Sequence, residues 1–278
     1  MNLWNRGIVV NTLRAAVLAL AGACAAHAQQ PGTVTASIPY VVFGGVVTPT
    51  YVNAWSTEFM FTNLGSTTAT LGLRWFGDNG QPLAVPVLGG TRSTTQVYQI
   101  APGATIDISL DDTQDPLTDG WAAVDITGLV NGQAVLHFDL TGRPEYTAAA
   151  PLLRQGAPSA YVLLGGGTPV TTVNVPISLA LPFNNVNNVT GVSFANITTV
   201  AQILTLNYLD DTGALLMSQA IPLGPGAHTA FALTDPRVAG TKGSVVVSGD
   251  GSPYSAIAFV VGAGANSGTF ATLLPVIQ

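Results

Sequence analysis

Over much of the chain, apolar and polar side chains alternate with a period of two in short stretches, and Gly, Pro, Asn or Asp closes each stretch. Leu71, Leu73 and Trp75 alternate with Gly72, Arg74 and Phe76, and Leu204, Leu206 and Tyr208 alternate with Thr205, Asn207 and Leu209. This is the pattern of a half-buried β-strand. Asp78-Asn79-Gly80 and Asp211-Thr212-Gly213 follow as hairpin turns, in which Gly supplies a positive φ and Asp caps locally. Pro102-Gly103 and Pro225-Gly226 predict further turns, each leading into a strand, at 105–110 and 229–233. Strands are also predicted at 122–126, 134–140, 244–247 and 256–261. Short helices are predicted at 115–118 and 235–239.

The pattern occurs twice. At a spacing of 133 residues Asn63 meets Asn196, Leu71 meets Leu204, Leu73 meets Leu206, Trp75 meets Tyr208 and Gly80 meets Gly213. The spacing then shrinks slightly, as loops of unequal length require. Pro102-Gly103-Ala104 meets Pro225-Gly226-Ala227, Leu110 meets Leu233, Val124 meets Val245, and Phe138 meets Phe259. Ordered matches of this extent indicate a duplicated unit. Roughly seven strands in about 115 residues suit an immunoglobulin-like β-sandwich. The expected organisation is a signal peptide at 1–28, a first sandwich domain at 29–156 and a second at 157–278. Gly156-Ala157-Pro158-Ser159 forms the linker, and Gly165-Gly166-Gly167-Thr168-Pro169 is an early loop of the second domain.

The sequence resembles the tandem β-sandwich repeat domains of uncharacterised exported bacterial proteins. The resemblance rests on Phe183-Asn184-Asn185, Thr190-Gly191-Val192, Ala195-Asn196, Asp211-Thr212-Gly213, Pro225 to Phe231, Gly120-Trp121-Ala122 and Gly142-Arg143-Pro144-Glu145. It covers most of 38–278 and departs from the family pattern at Ile197, where Pro often follows Asn. It implies a tandem sandwich and no particular activity.

Composition narrows the picture. Hydrophobic residues make up 47% and charged residues 8%, so cores are well supplied while long solvent-facing helices are not. Arg6 and Arg14 precede an apolar run from Ala15 to Ala25, too short to span a bilayer, and Ala26-His27-Ala28 fits a cleavage site before Gln29. An uncleaved anchor and a lipoprotein at Cys24 are weaker readings of the same segment. Loss of this leader removes the lone Cys, leaving a disulfide-free chain without a Cys-based site. It also leaves six basic against fourteen acidic residues, which disfavours nucleic acid and anionic membrane surfaces.

Candidate chemistry is sparse, and no catalytic, cofactor-binding or metal site is expected. Asp211-Thr212-Gly213 spells the aspartic-protease signature, but that chemistry needs two carboxylates sharing a proton. Here Asp78 and Asp211 fall on hairpin tips of different units. Asp111, Asp112, Asp115 and Asp119 crowd one loop with oxygen ligands of the kind calcium uses, but without the ordered spacing of a calcium loop, so a solvated acidic loop is the favoured reading. His137 and Asp139 share a strand face and could pair. His228 follows a turn where the first copy has Thr105, which implies no fixed chemistry. Trp75 reads as core, Trp121 as packing at a sheet edge, and Trp55, in a polar stretch, as the most exposed. Trp55 and the four aspartates are therefore the candidate ligand contacts.

These features favour a non-catalytic, exported structural or protein-interaction module of the cell envelope or extracellular space. It would lie in the periplasm, at the cell surface or outside the cell, with an envelope protein or polysaccharide as partner, or with self-association. A glycan- or ligand-binding adhesin-type module is the alternative. An outer-membrane β-barrel is a minor one: mean hydropathy is +0.43, but the aromatics form no girdles and the chain repeats as two units.

Overall fold

The computed structural model describes residues 36–110, 115–143, 145–154, 178–262, 270–273 and 276–277. The expected leader, the linker at 156–159 and the loop at 165–169 lie outside them. The first half contains β1 (Ala36–Thr48), β2 (Tyr51–Asn63), β3 (Ala69–Gly77), β4 (Thr95–Ile100), β5 (Thr105–Leu110), β6 (Thr118–Thr127), β7 (Val130–Leu140), β8 (Tyr146–Pro151) and β9 (Leu153–Arg154). The second contains β10 (Ser178–Asn184), β11 (Asn188–Asn196), β12 (Gln202–Asp210), β13 (Leu215–Leu223), β14 (His228–Ala232), β15 (Lys242–Ser248), β16 (Tyr254–Gly262), β17 (Phe270–Leu273) and β18 (Val276–Ile277).

The described residues are all-β, and their strands pair antiparallel. Sheet I runs β4-β3-β6-β1-β9 and sheet II runs β5-β2-β7-β8. Sheet III runs β14-β11-β16-β17 and sheet IV runs β13-β12-β15-β10-β18. The second half therefore repeats the first strand for strand. In the first half β2 pairs with β5, and β3 pairs with β6. β1 lies beside β6, and β7 lies beside β2.

Each half closes around its own core. Leu71, Leu73 and Trp75 of β3 meet Phe59 and Phe61 of β2, and Leu204, Leu206 and Tyr208 of β12 meet Val192 and Phe194 of β11. The alternation placed Leu71, Leu73, Trp75, Leu204, Leu206 and Tyr208 inward, and burying each leucine is worth about 1.5–3 kcal/mol.

A second kind of burial joins the halves. In β6, Ala122 and Val124 face the first core, while Trp121 and Ala123 pack with Phe76 against Ala195 and Ile197 of the second half. In β16, Ala256 and Ala258 belong to the second core, while Ile257 and Phe259 join the first. Both strands are buried on two faces, as continuous apolar strands are. The outer face of sheet I thus lies on the outer face of sheet III, and the layers stack in the order II, I, III, IV.

Three local features depart from expectation. Neither predicted helix forms. Residues 115–117 are a bend and coil, and 235–239 make a single turn closed by Val238 and Ala239 N–H donating to Asp235 O. Among the described residues each half has nine strands where seven were expected, because short segments such as Leu153–Arg154 and Val276–Ile277 add to sheet edges. Trp121 lies not at a sheet edge but on central strand β6, covered by the second half.

Candidate functional site at the junction of the two halves

The polar side chains buried between sheets I and III converge on His228. The 225–227 turn delivers His228 to the start of β14, on the face that meets the first half. Its side chain is fully buried. The imidazole Nδ1 lies 2.7 Å from Asp78 Oδ1, and Nε2 lies 2.9 Å from Ser193 Oγ. The His228 backbone N–H also donates to Asp78 O at 3.2 Å. Two turns interlock here. A Cβ on Gly80 would stand 2.1 Å from Pro225 O, so only glycine admits this approach.

The first half contributes three further groups. A bulge in β1 between Ile38 and Val41 takes Pro39 and Tyr40 out of register with β6. Pro39 O thereby accepts a hydrogen bond from Ser193 Oγ at 2.7 Å. Tyr40 stacks on His228 with ring centroids 5.8 Å apart and lies beside Asp119. Burial pushes the Tyr40 hydroxyl well above its ordinary range, helped by the charges of Asp119 and Asp78. Asp119 is half-buried on β6. Burial raises its carboxyl, the charge of Asp78 raises it further, and His228 partly offsets both. Donor atoms of Asp78, Asp119 and His228 lie within 4.8 Å of one another.

Asp78, His228 and Ser193 occur in the order of a hydrolytic triad, but the protons are wrongly placed for one. The single hydroxyl proton of Ser193 goes to Pro39 O, so Ser193 Oγ accepts from His228 Nε2–H. A nucleophilic serine must instead give its proton to the histidine. Ser193 is also buried, in the middle of β11.

The predicted ligand contacts are dispersed. Asp111 and Asp112 lie outside the described residues. Asp115 forms an ion pair with Arg92, and its backbone carbonyl accepts from Gly45 N–H at 2.8 Å. Asp119 points instead into the junction, so Asp115 and Asp119 do not share a site. Trp55 is half-buried rather than exposed, because it stacks on Phe138 at 4.4 Å and meets Phe270 edge-on at 5.6 Å. It lines a cleft of about 320 Å³ on sheet II with Glu58, Leu88, His137, Asp139 and Glu145. His137 pairs with Glu145 at 2.5 Å, not with Asp139, and lies 3.6 Å from Glu58.

The sequence missed Asp78, Ser193 and Tyr40 as partners of His228. The one available signal was that His228 replaces Thr105 of the first copy. The turn cap also moves: Asp210, not Asp211, accepts from the Thr212 hydroxyl and from the N–H groups of Ala214 and Thr212, and these bonds hold its carboxyl below the usual range. In the first copy Asn79 takes the cap by accepting from Gln81 N–H, leaving Asp78 for His228.

No family model and no curated protein matches the sequence. Among solved structures, a glycosyl hydrolase family 2 member from Bacteroides cellulosilyticus aligns at 10% identity with a TM-score of 0.14. The alignment covers 84% of this chain and 28% of that protein, and likeness at this level carries no argument about fold or activity.

Proposed function

We propose that this chain is a non-catalytic, exported structural or protein-interaction module, working in the cell envelope or outside the cell as a tandem pair of β-sandwich domains. One observation chiefly supports the reading: the most chemically suggestive cluster, around His228, is buried between the halves and holds them together. Ser193 is spent on a carbonyl, and Trp121 Nε1–H crosses to Gly226 O at 2.7 Å. Side chains that could do chemistry serve here as joints. The expected leader and the resemblance to exported tandem-sandwich proteins support the location. The partner is an envelope protein, a polysaccharide or a second copy. Among the described residues β13 pairs on one side only, with β12, and this edge of sheet IV is where such contact would form.

Crosslinking of tagged protein in its own cells, followed by identification of what co-purifies from each envelope fraction, tests this. One recurrent partner, or self-crosslinked copies alone, supports the module. Turnover of an envelope polymer by the purified chain, abolished by Ser193→Ala, would overturn it.

The second reading, a glycan- or ligand-binding module, is favoured by the sheet II cleft, where Trp55 stands beside Glu58, Asp139 and Glu145. Glycan binding that survives Trp55→Ala unchanged would remove that reading.

A further inference from the structure

We propose that Asp78, Asp119 and His228 form a binding site for a divalent transition-metal ion of the zinc class, clipping the two halves together. The argument begins with the tautomer. Ser193 has one hydroxyl proton and gives it to Pro39 O at 2.7 Å. His228 Nε2, at 2.9 Å, is therefore the donor to Ser193 Oγ. In a neutral imidazole that leaves Nδ1 with a lone pair, aimed at a carboxylate oxygen 2.7 Å away. Two acceptors at this distance need a shared proton between them, and a metal ion would take the place of that proton as the two atoms move apart. A second carboxylate, Asp119, adds its own demand, and all three donor sets lie within 4.8 Å.

The surroundings match how proteins hold such ions. A metal-bound histidine characteristically donates its other ring N–H to a fixed acceptor, which sets tautomer and orientation. Ser193, anchored by Pro39 O, is that acceptor. Tyr40 stands beside Asp119 and stacks on the imidazole of His228. One imidazole nitrogen with two carboxylates suits zinc and its neighbours, whereas calcium takes oxygen ligands. Tetrahedral bonds of about 2.0–2.2 Å hold neighbouring donors about 3.4 Å apart, so Asp78 Oδ1 backs away from Nδ1 as the ion enters, and a donor near the 4.8 Å limit draws in. Asp78 has the freedom for this: it sits on a turn with its side chain 62% exposed, which also gives the ion a way in. The ligands come from the β3–β4 turn, β6 and the start of β14, so the bound ion would tie sheet I to sheet III.

The test uses the full chain in chelator-treated buffer at about pH 7.5, titrated with zinc chloride by calorimetry and followed by thermal unfolding. One equivalent is expected to bind, with a rise in Tm that saturates at that ratio. Asp78→Asn, on an exposed turn, should keep the fold and weaken binding at least tenfold, as should Asp119→Asn. Ser193→Ala, a positioning change, should cost about 10–100-fold in affinity. His137→Gln, at the other carboxylate-flanked histidine, should leave binding unchanged, and calcium in hundredfold excess should not compete. Three results would each overturn the proposal: no saturable zinc uptake by the folded wild type, uptake lost in His137→Gln but kept in Asp78→Asn, or nitrogen NMR showing His228 protonated on both ring nitrogens with zinc in excess. The last would make a proton, not a metal, the charge that Asp78 and Asp119 share.

Discussion

Two buried tryptophans show how much one hydrogen bond decides. Trp75 and Trp121 are both fully buried, one in the first core and one between the halves. Trp121 Nε1–H donates to the buried Gly226 carbonyl, whereas Trp75 Nε1 meets no acceptor among the described residues. Phe in place of either removes a similar volume, but at 121 it also strands a buried carbonyl, which costs about 1–3 kcal/mol. Urea unfolding should therefore place Trp121→Phe below Trp75→Phe by about that amount. Equal losses would mean that the Gly226 contact adds nothing. Asn63 and Asn196 make a related point about what can be read from residues. Both are buried, and each side chain bridges its own turn: Asn63 to Thr67 O and Ile100 O, Asn196 to Val200 O and Gly224 O. Their match in the repeat was visible in the sequence. Their role was not, because a polar residue gives no sign of which carbonyls will surround it. Tyr208 contributes to the pH dependence beside the buried Tyr40 and Tyr254, whose hydroxyls burial also raises. Burial, then the charge of Asp235, pushes the Tyr208 hydroxyl up to about 12. The folded state keeps a proton that the unfolded chain releases near pH 10, so stability is lost as pH rises from about 10 towards 12. Tyr208→Phe should flatten that alkaline limb in unfolding scans across this range; an unchanged slope would show that Tyr208 does not contribute to it.

At the scale of elements, turns and strand faces were legible because their causes are local. Gly80 and Gly213 take positive φ of 74° and 86°, as the hairpin signature requires. The alternation in β3 and β12 reports one buried face. β1 was less legible. It pairs with β6 in sheet I, then bends at Gly44 and Gly45 to pair with β2 beside sheet II. Gly44 has φ of 87°, and a Cβ there would stand 2.5 Å from Pro116 O. Gly213 has nearly the same φ with open space around it. Gly213→Ala should therefore cost about 1–2 kcal/mol, the left-handed penalty alone. Gly44→Ala adds a backbone clash and should cost distinctly more, with the difference read from paired denaturation curves. Similar losses would show that the bend yields without strain.

At the scale of the molecule, duplication was readable and docking was not. A repeat announces itself by matched residues, whereas the face one copy turns to the other is set by contacts distant in sequence. Two strands did carry a trace. Trp121 to Val124 and Ala256 to Val261 run apolar without alternation, which is what burial on both faces produces. The same long-range dependence hid the His228 cluster, whose members run from Tyr40 to His228 in sequence. It also explains why the acidic loop did not hold together as a site: Asp119 belongs to the junction through β6, while Asp115 turns to Arg92.

The central claim is that sheets I and III face each other in one stack, with Ser37 of β1 and Ser255 of β16 in contact, their hydroxyl oxygens 3.0 Å apart. The direct measurement is a double variant, Ser37→Cys with Ser255→Cys, in a chain whose only native cysteine, Cys24, is changed to Ser. Mild oxidation should close an intramolecular disulfide in nearly every molecule, seen as a mobility shift that reductant reverses, while either single variant stays a free thiol. Failure to form that bond in folded protein, or its formation only between molecules, would contradict the stack and with it the junction on which the metal site depends.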